Sequence, residues 1–496
     1  GSGGGGMYEE AGTASLINTI VAGNTAPAIG PDVRGSISSG GYNLVGKTTG
    51  SFGWCSCDLT GTSASPLTPL LGALGSYGGS TQTMALLPGF PAIDAGDDPI
   101  CAATGTGKVN SLDQRGISRL QGTHCDIGAF ESRGFSLVKE AGDGQSVPAT
   151  TAYPLHLLVS LASTHGEPVD GGGVTYNIVP TAGARATFGP QSDCTLANGN
   201  LTAVCTVSVG FAGSPQPTAG STDGSFTVVA SASGAPTQTF TLTVTDVAPI
   251  VTTTSGATAA SGGAPPVVVD AGLTVSDVDN TTLASGTVHI TANFHSSEDT
   301  LAFTSNPATM GNIAGSYNTG VGVLTLQSAG ATATVGQWQA ALRAVTYADT
   351  SLTPSTANRT VAFAINDGVL NSTAATKTVT VALPMIVTGI APASGGTTGG
   401  NSVTLTGVGF DTPANTQVLL DGVALPAANI TSVTGTQIVY VAPAHAAGSV
   451  VVTVKVSGAT LAGSATYTYG VVNGLPPPRP SGGTGGSPNP LPSSRP

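Results

Sequence analysis

The sequence predicts an all-β chain made of several small domains, and two observations are the reason. Gly (71 residues) and Pro (33 residues) recur along all 496 residues, with alternating apolar and Thr or Ser positions between them. Such runs between turn-forming residues are typical of short strands. Charged residues make up only 8% of the chain, too few for the polar faces of long helices. The length exceeds one hydrophobic core, so three or four domains are expected.

The charge balance excludes one class of partner. The chain carries 14 Lys and Arg against 26 Asp and Glu, a formal charge of −12. An acidic surface repels phosphate backbones, so we expect no nucleic-acid binding. No apolar run is long enough to cross a membrane as a helix. The opening GSGGGGMYEE lacks the features of a signal peptide and resembles the middle of a repeat, so we expect a longer parent protein.

Residues 1–133, the first segment, predict the C-terminal coils of a right-handed parallel β-helix. Short apolar stretches alternate with Asn and Gly corners, as in NTIVAGNTA, PDVRG and GYNLVG. These motifs resemble the last coils of bacterial β-helix surface proteins. YGGSTQTMALLPGFPAIDAG followed by DQRGISRLQGTHCDIGAFE resembles the closing motif of the choice-of-anchor Q family. This resemblance implies an extracellular protein tethered to a bacterial cell surface.

Residues 134–246, the second segment, predict a β-sandwich that resembles bacterial Ig-like modules. Strand-like runs recur about every ten residues, with Gly, Pro or Asn between them. In FTLTVTD, the alternation places Phe240, Leu242 and Val244 on one face.

Residues 247–383, the third segment, predict a longer β module. Its DVDN, QWQAALRAVTY and NDG motifs resemble cadherin-like repeats of large bacterial adhesins. The segment also contains the clearest helix signal of the chain.

That helix signal is a capping box followed by an apolar face. Thr334 can cap the first turn together with Gln337, three residues on. Trp338, Leu342 and Val345 then share one helical face.

Residues 384–470, the fourth segment, resemble IPT/TIG domains, which are Ig-like folds. The resemblance rests on IVTGIAPASGGTTGGNSVTLTGVGF, DGVALP and the closing ATYTYG. Alternation directs Val452, Val454 and Val456 towards the core. The remaining residues, 471–496, are rich in Pro, Gly and Ser and predict a disordered linker.

Cysteine spacing favours local disulfides over a metal site, because no CxxC pair occurs. Cys194 and Cys205 flank an Asn-Gly turn, which predicts a bridge across a hairpin. Cys101 and Cys125 can close the loop that ends the first segment. We predict no unstrained disulfide between Cys55 and Cys57, since in a strand the separation of these residues is near the upper limit of disulfide reach.

The first candidate site is a calcium site at a module junction. Asp277, Asp279 and Asn280 in SDVDN offer the hard oxygen ligands that calcium prefers, and Asp270, Asp299 and Asp367 are candidates to complete the shell. In cadherins, which the third segment resembles, similar acidic motifs rigidify the joint between repeats. The alternative is that DVDN and NDG are ordinary polar turns.

The second candidate is an acidic cluster near the end of the first segment. Polysaccharide lyases and hydrolases on β-helices use such carboxylates as acid and base. The alternative is structural, with side-chain oxygens bonding loop amides and Arg115 pairing with Asp126. The cluster comprises Asp94, Asp97, Asp98, Asp113, Asp126, Glu131 and Arg115.

No nucleophilic triad is predicted, and we assign no catalytic residues. The six histidines are scattered over the modules, and neither GxSxG nor HExxH occurs.

Three functions are compatible with these observations. The leading hypothesis is an extracellular adhesin or structural stalk of a bacterial cell surface, which binds a surface or matrix ligand such as a glycan. The first alternative is a carbohydrate-active enzyme whose β-helix is catalytic, although only two tryptophans are present to stack on sugars. The second is a self-associating subunit of a filament or surface layer.

Overall fold

The structure, a computed structural model, describes residues 5–26, 30–461 and 463–470. Strands account for 44% of the chain and helices for 5%, so the all-β prediction is confirmed. The tail predicted to be disordered, residues 471–496, lies outside the described residues. No helix in the described part is long and apolar enough to cross a membrane.

The first segment is built largely from parallel strands. Strand β4 pairs in parallel with β1, β2 and β6, and β3, β5 and β7 form a second parallel ladder. In that ladder Ile20, Leu44 and Leu59 stand in register, which stacks apolar side chains at equivalent positions. The antiparallel pair β8–β9 and a short helix follow. The elements are β1 Met7–Tyr8, β2 Ala14–Ile17, β3 Ile20–Val21, β4 Val33–Gly41, β5 Leu44–Val45, β6 Ser51–Phe52, β7 Leu59–Thr60, β8 Leu71–Gly75, β9 Thr83–Leu86 and α1 Asp98–Ala102.

The second segment is a mostly antiparallel β structure around one core, in which β11 pairs in parallel with β20. The main sheet has the order β10-β12-β17-β16-β13-β19-β20-β11, and β14 pairs with β18. Phe240, Leu242 and Val244 are all buried, as the alternation predicts. The strands are β10 Ser136–Ala141, β11 Ser146–Pro148, β12 Leu158–Ala162, β13 Gly173–Val179, β14 Ala186–Phe188, β15 Cys194–Ala197, β16 Thr202–Ser208, β17 Phe211–Ala212, β18 Pro217–Ala219, β19 Gly224–Ser231 and β20 Gln238–Thr245.

In the third segment, the sheets β22-β31-β30-β25-β28-β27 and β23-β29-β26 contribute to one core. The predicted capping box of Thr334 and Gln337 is present at the start of α3. Trp338 is fully buried and donates its indole N–H to the Leu283 carbonyl at 2.9 Å. The elements are β21 Ile250–Thr252, β22 Ala257–Ser261, β23 Val267–Val268, β24 Thr274–Ser276, β25 Ser285–Ala292, β26 Asp299–Ala302, α2 Pro307–Met310, β27 Ile313–Asn318, β28 Val323–Ser328, a 3-10 turn Ala329–Ala331, α3 Val335–Arg343, β29 Thr346–Asp349, β30 Arg359–Asn366 and β31 Ala375–Ala382.

The fourth segment packs the sheets β32-β34-β38-β37 and β33-β41-β39-β35-β36 around one core. Val452, Val454 and Val456 on β39 are buried, as predicted. The elements are β32 Ile386–Ala391, β33 Ser394–Gly396, β34 Ser402–Val408, β35 Thr416–Leu420, β36 Val423–Ala424, a 3-10 turn Ala427–Asn429, β37 Ile430–Val433, β38 Gln437–Val441, β39 Gly448–Val456, β40 Ala459–Thr460 and β41 Ala465–Gly470.

All six cysteines form disulfides. Cys194 and Cys205 face each other in the β15–β16 register, and Cys101 is bonded to Cys125. The prediction for the remaining pair is wrong, because Cys55 is bonded to Cys57. These two residues lie in a turn rather than a strand, and the turn brings their Cα atoms to 5.2 Å.

Candidate functional site

The second and third segments meet at a group of acidic side chains, which we call the second junction. Its members are Asp246, Asp277, Asp279, Asn280 and Asp367. Asp246 follows the last strand of the second segment, and the others occupy the loops after β24 and β30. Loops at the ends of strands from both segments therefore meet at this point.

Local hydrogen bonds hold the two loops of the third segment in place. The Asp277 carboxylate accepts the backbone N–H groups of Asp279 and Asn280, at 3.1 and 3.0 Å. The Asp367 carboxylate accepts those of Val369 and Leu370, both at 2.7 Å. Each aspartate thus uses one oxygen to close its own turn, which leaves the other oxygen for another partner.

Two hydrogen bonds lie at the second junction, and the one from Asn280 to Asp246 joins the second and third segments. The Val247 N–H donates to Asp279 Oδ2 at 2.8 Å, and Asn280 Nδ2 donates to Asp246 Oδ1 at 3.1 Å. Both contacts use the linker residues that immediately follow β20.

Four carboxylate oxygens at the second junction are buried and accept no hydrogen bond. They are Oδ2 of Asp246, Asp277 and Asp367 and Oδ1 of Asp279. A buried acceptor without a partner destabilises a fold by about 1–3 kcal/mol, and more when it is charged. Four such atoms near one boundary mark the second junction as a candidate site for an external partner, either water or a cation.

The electrostatics of the second junction indicate the charge of that partner. Burial, followed by a contact with Asp277 and the charges of Asp277 and Asp246, raises the pKa of Asp279 to about 6. Burial and the charges of Asp367, Asp223 and Asp277 also raise the pKa of Asp246. Among the described residues, no Lys, Arg or His forms a salt bridge with any of these aspartates. The local field therefore favours a cation.

The donor set fits a hard cation such as calcium. All of the available ligand atoms are oxygens, and calcium takes six to eight of them from carboxylates, amide carbonyls and water. The arrangement is more open than a closed coordination shell. In the described part of the chain, the only three His, Cys, Asp or Glu ligand atoms within 4.8 Å of one another belong to Cys55, Cys57 and Asp58. Calcium at the second junction would have to draw the carboxylates together.

Two residues proposed for this site from the sequence have partners elsewhere. Asp270 accepts the Thr254 N–H at 2.7 Å and lies 3.9 Å from Lys377 Nζ.

Asp299 is the second of them. Both oxygens of Asp299 accept from Arg359 Nε, at 3.0 and 3.2 Å, and Tyr347 also donates to Asp299. Asp349 occupies the other side of the same guanidinium at 3.1 Å. Asp299 is thus part of a buried ion cluster within the third segment.

Sequence reasoning missed Asp246 and its neighbour Asp223. The signal for Asp246 was its position directly after the alternating strand FTLTVT, where a module boundary was already predicted. Asp223 had no comparable signal, because it belongs to the loop before β19 and is distant in sequence.

The second acidic cluster lies where the first and second segments meet, which we call the first junction. Arg115 forms an ion pair with Asp113 at 2.7 Å and approaches Glu167 of the second segment at 3.6 Å. Its guanidinium also lies 3.4 Å from the ring centre of Phe130. Arg133 pairs with Glu167 at 3.1 Å, across the boundary between the segments.

The predicted pair of Arg115 and Asp126 is wrong. Asp126 instead accepts the backbone N–H groups of Asp94 and Ser132, because loop amides surround it. Burial and the nearby charge of Glu131 raise the pKa of Asp126 to about 8.

The other acidic residues of this cluster also have partners. Glu131 pairs with Arg119 at 3.2 Å. Asp97 caps helix α1, and Asp98 pairs with His124 at 2.9 Å. These contacts are with loop amides and basic side chains, as the structural interpretation of the cluster requires.

Comparison with known proteins assigns one part of the chain to a family. Residues 385–469 match the IPT/TIG domain, in agreement with the resemblance found in the fourth segment. The chain is also similar to halomucin of Haloquadratum walsbyi (strain DSM 16790 / HBSQ001), with 37% identity over 116 residues. That match covers 23% of this chain and 1% of halomucin, so the chain spans a very small part of this relative.

Several multidomain proteins of solved structure show some likeness to this chain. Domains 3–6 of protocadherin γB2 align with 69% of this chain and 76% of theirs, at 15% identity and a TM-score of 0.23. Drosophila N-cadherin EC1-4 aligns with 68% of this chain and 76% of its own, at 11% identity and a TM-score of 0.21. Domains 4–9 of the surface layer protein SbsC align with 68% of this chain and 47% of their own, at 11% identity and a TM-score of 0.18.

Proposed function

We propose that this chain is a non-catalytic, extracellular stalk or adhesin segment of a bacterial cell surface, and that calcium stiffens its second junction. The observation that carries the proposal is the set of four buried, unpartnered carboxylate oxygens between the second and third segments. A cation at that point would bond residues from both segments and restrict their relative motion. Such restriction is useful in a chain that projects or presents a ligand-binding module.

The modular organisation supports this role. The boundaries we propose are those of the sequence, namely 1–133, 134–246, 247–383 and 384–470, with a linker over 471–496. The parallel ladders of the first segment support a right-handed β-helix at its start. The IPT/TIG match and the similarity to halomucin support an extracellular location. The partner would be a surface or matrix ligand, such as a glycan, or a second copy of the chain.

The residues that would hold calcium are the five of the second junction. Asp246, Asp277, Asp279 and Asp367 would supply carboxylate oxygens, and Asn280 an amide oxygen. Calcium supplies positive charge and flexible oxygen coordination there. The chain supplies the turns around Asp277 and Asp367 that hold these groups at the boundary.

A calcium titration of the full chain tests the metal part of the proposal. We expect calcium to raise the melting temperature and a chelator to reverse the change, since a ligand of the folded state stabilises it. Magnesium at the same concentration should have a smaller effect, because it requires a tighter octahedral shell. The double variant Asp277→Asn/Asp279→Asn should not respond, whereas the exposed control Glu10→Gln should respond like the parent. A calcium-independent melt of the parent would contradict the proposal.

Small-angle scattering tests the stalk. A compact globule of this length has a radius of gyration of about 23 Å. We expect a clearly larger value and an elongated distance distribution, with less flexibility when calcium is present. A value near that of the globule would contradict a stalk, even if calcium binds.

A further inference from the structure

Strand β27 forms one edge of the six-stranded sheet of the third segment. It pairs only with β28, and that ladder runs from Ile313 to Asn318 without a register shift. Ala314, Gly315 and Ser316 in the middle of the strand are exposed. An edge strand presents backbone N–H and C=O groups that another chain can pair with. The open side of β27 is therefore a candidate interaction surface.

The hydrogen-bond pattern of the sheet shows which groups of β27 face this open side. The Ile290 N–H of β25 donates to the Gly322 carbonyl at 3.0 Å, so Val323 of β28 directs its own backbone groups away from β25 and towards β27. Because antiparallel pairs alternate, Gly315 and Tyr317 then direct their N–H and C=O groups away from β28. Among the described residues, no other hydrogen bond involves the backbone of these two residues.

Strand β27 also lacks the features that protect sheet edges. Natural edges are protected by charged side chains, Pro, bulges or short length. In the described part of the chain, β27, with 6 residues, is the longest edge strand that has an unbroken ladder and neither a charged residue nor Pro. Among the other edges, β10 contains Lys139 and Glu140, β11 ends at Pro148, β26 begins at Asp299, β32 and β37 have register shifts, and β22 has only 5 residues.

Gly315 keeps the open edge flat. A Cβ at this position would approach side-chain carbons of Leu326 and Phe303 to 2.8 Å, so the missing side chain points into the packed interior. Gly315 is nevertheless exposed, because its backbone lies at the edge of the sheet. Packing therefore disfavours a larger residue in the middle of β27, and the backbone there stays accessible to another strand.

The distribution of charge favours a second copy of the chain as the partner. The chain carries a formal charge of −12, so two copies repel each other over most of their surface. Residues 300–342, which include β27 and β28, are the longest stretch of the sequence without Asp, Glu, Lys or Arg. At this stretch two acidic chains can approach without direct like-charge contact, and a charged partner finds no complementary charge.

We propose that two copies of the chain associate by antiparallel pairing of their β27 strands, which joins their six-stranded sheets edge to edge. An antiparallel strand pair has two-fold symmetry, as a contact between identical surfaces requires. The inference rests on the proposed function, in which a second copy is an alternative partner, and it names the surface that this copy uses.

The outward backbone groups set the register of this pairing. With the two-fold axis at Ser316, Gly315 of each copy exchanges N–H and C=O hydrogen bonds with Tyr317 of the other copy. The two Ser316 residues then lie directly opposite each other in a non-hydrogen-bonded pair, the kind in which side chains are closest. The register leaves out Ile313, which is buried at the start of the strand.

Disulfide trapping in the full chain tests the register. All six native cysteines are bonded, so a single introduced cysteine supplies the free thiol. Under mild oxidation, Ser316→Cys should give a covalent dimer linked through position 316, identified by mass spectrometry of the linked peptide. Thr287→Cys is the matched control, because Thr287 is exposed on β25, which has a neighbouring strand on both sides. The proposal is overturned if Ser316→Cys forms dimers no faster than this control.

Sedimentation velocity over a concentration series tests the reversible contact. The parent should form a dimer as its concentration rises, and the amides of Gly315 and Tyr317 should then exchange hydrogen more slowly. Ser316→Lys should weaken the association at least about tenfold, because two ammonium groups would lie opposite each other. Thr287→Lys should behave like the parent. Unchanged association in Ser316→Lys, or a parent that stays monomeric at every concentration, would overturn the proposal.

These outcomes are separate from those that test the stalk. A chain that is elongated in dilute-solution scattering but shows no preferred cross-linking at position 316 remains a stalk and loses the β27 contact. A chain that is compact in scattering but cross-links at position 316 retains the β27 contact and is not a stalk.

Discussion

The first junction buries the carboxylates of Asp113, Asp126, Glu131 and Glu167, and arginines 115, 119 and 133 lie among them. The second junction gathers a similar number of carboxylates, but in the described part of the chain no basic side chain pairs with them. The first junction therefore carries its own counter-charges, whereas the second, under our proposal, takes its counter-charge from calcium in solution. Two junctions of one chain can thus differ in how their buried carboxylates are neutralised. At one junction the positive charge comes from arginines of the chain, and at the other it has to come from outside the chain.

The largest effect on stability is expected when the positive charge of an arginine is removed from the first junction. Arg115→Met leaves the buried Asp113 without its basic partner and removes one of the two arginines near Glu167, which should reduce the free energy of unfolding by about 3–5 kcal/mol. Urea unfolding followed by fluorescence measures this difference. Arg185→Met, at an exposed position without a salt bridge, is the matched control and should change little. If both variants lost the same small amount of unfolding free energy, Arg115 would not be needed at the first junction.

The second largest effect is expected from Asp279→Asn, and the sign of the change in stability should depend on calcium. Asp279→Asn removes one charge from the second junction, so without calcium the variant should be more stable than the parent because repulsion is relieved. With calcium at 100 times its Kd, the parent should gain about 2.7 kcal/mol, and the variant much less. Parallel urea titrations with calcium and with a chelator measure both. A variant that is less stable than the parent under both conditions would contradict the electrostatic comparison.

The pH dependence of the second junction should follow the raised pKa of Asp279. The folded pKa of about 6 exceeds the ordinary value of 3.8, so the folded state binds the proton more tightly than the unfolded state. Stability in chelator should therefore fall as pH rises from about 4 to about 6. The difference between the parent and Asp279→Asn isolates this contribution from that of Asp126. Calcium should remove the slope, and a slope that persists in saturating calcium would argue against binding at Asp279.

The smallest effect should come from monovalent salt. Without calcium, raising the salt concentration screens repulsion at the partly exposed second junction and should stabilise it by less than about 1 kcal/mol. The paired charges of the first junction are buried and should respond less. Melting of the parent and of Arg115→Met over a salt series, in chelator, measures the two responses. If salt destabilised the parent, repulsion between the carboxylates of the second junction would not be the main electrostatic effect there.

Much of the fold was predictable because it depends on local pattern. The alternation around Phe240, the capping box at Thr334 and the Asn-Gly turn between Cys194 and Cys205 each involve residues close in sequence. The conformation of Cys55 and Cys57 was not predictable in this way. The prediction considered the two cysteines in a strand, but the buried Asp58 and its hydrogen bonds from Asn43 stabilise a turn there.

The candidate site was predictable only in part. Asp277, Asp279 and Asn280 are adjacent in sequence, so their composition alone indicates an oxygen-rich loop. Asp299 has the same chemistry, yet the structure pairs it with Arg359 in a different part of the third segment. Residue type indicates what a side chain can bind, whereas the fold decides which groups it contacts.

The sequence by itself determined the all-β class, the IPT/TIG resemblance of the fourth segment and the acidic character of the chain. Alternation, turn residues and net charge depend on near neighbours and on totals, so they can be read without coordinates. Only the tertiary structure decided which carboxylates form an ion pair with an arginine and which do not. That outcome depends on loops far apart in sequence, such as those of Asp246 and Asp367, which meet only when the strands between them have paired.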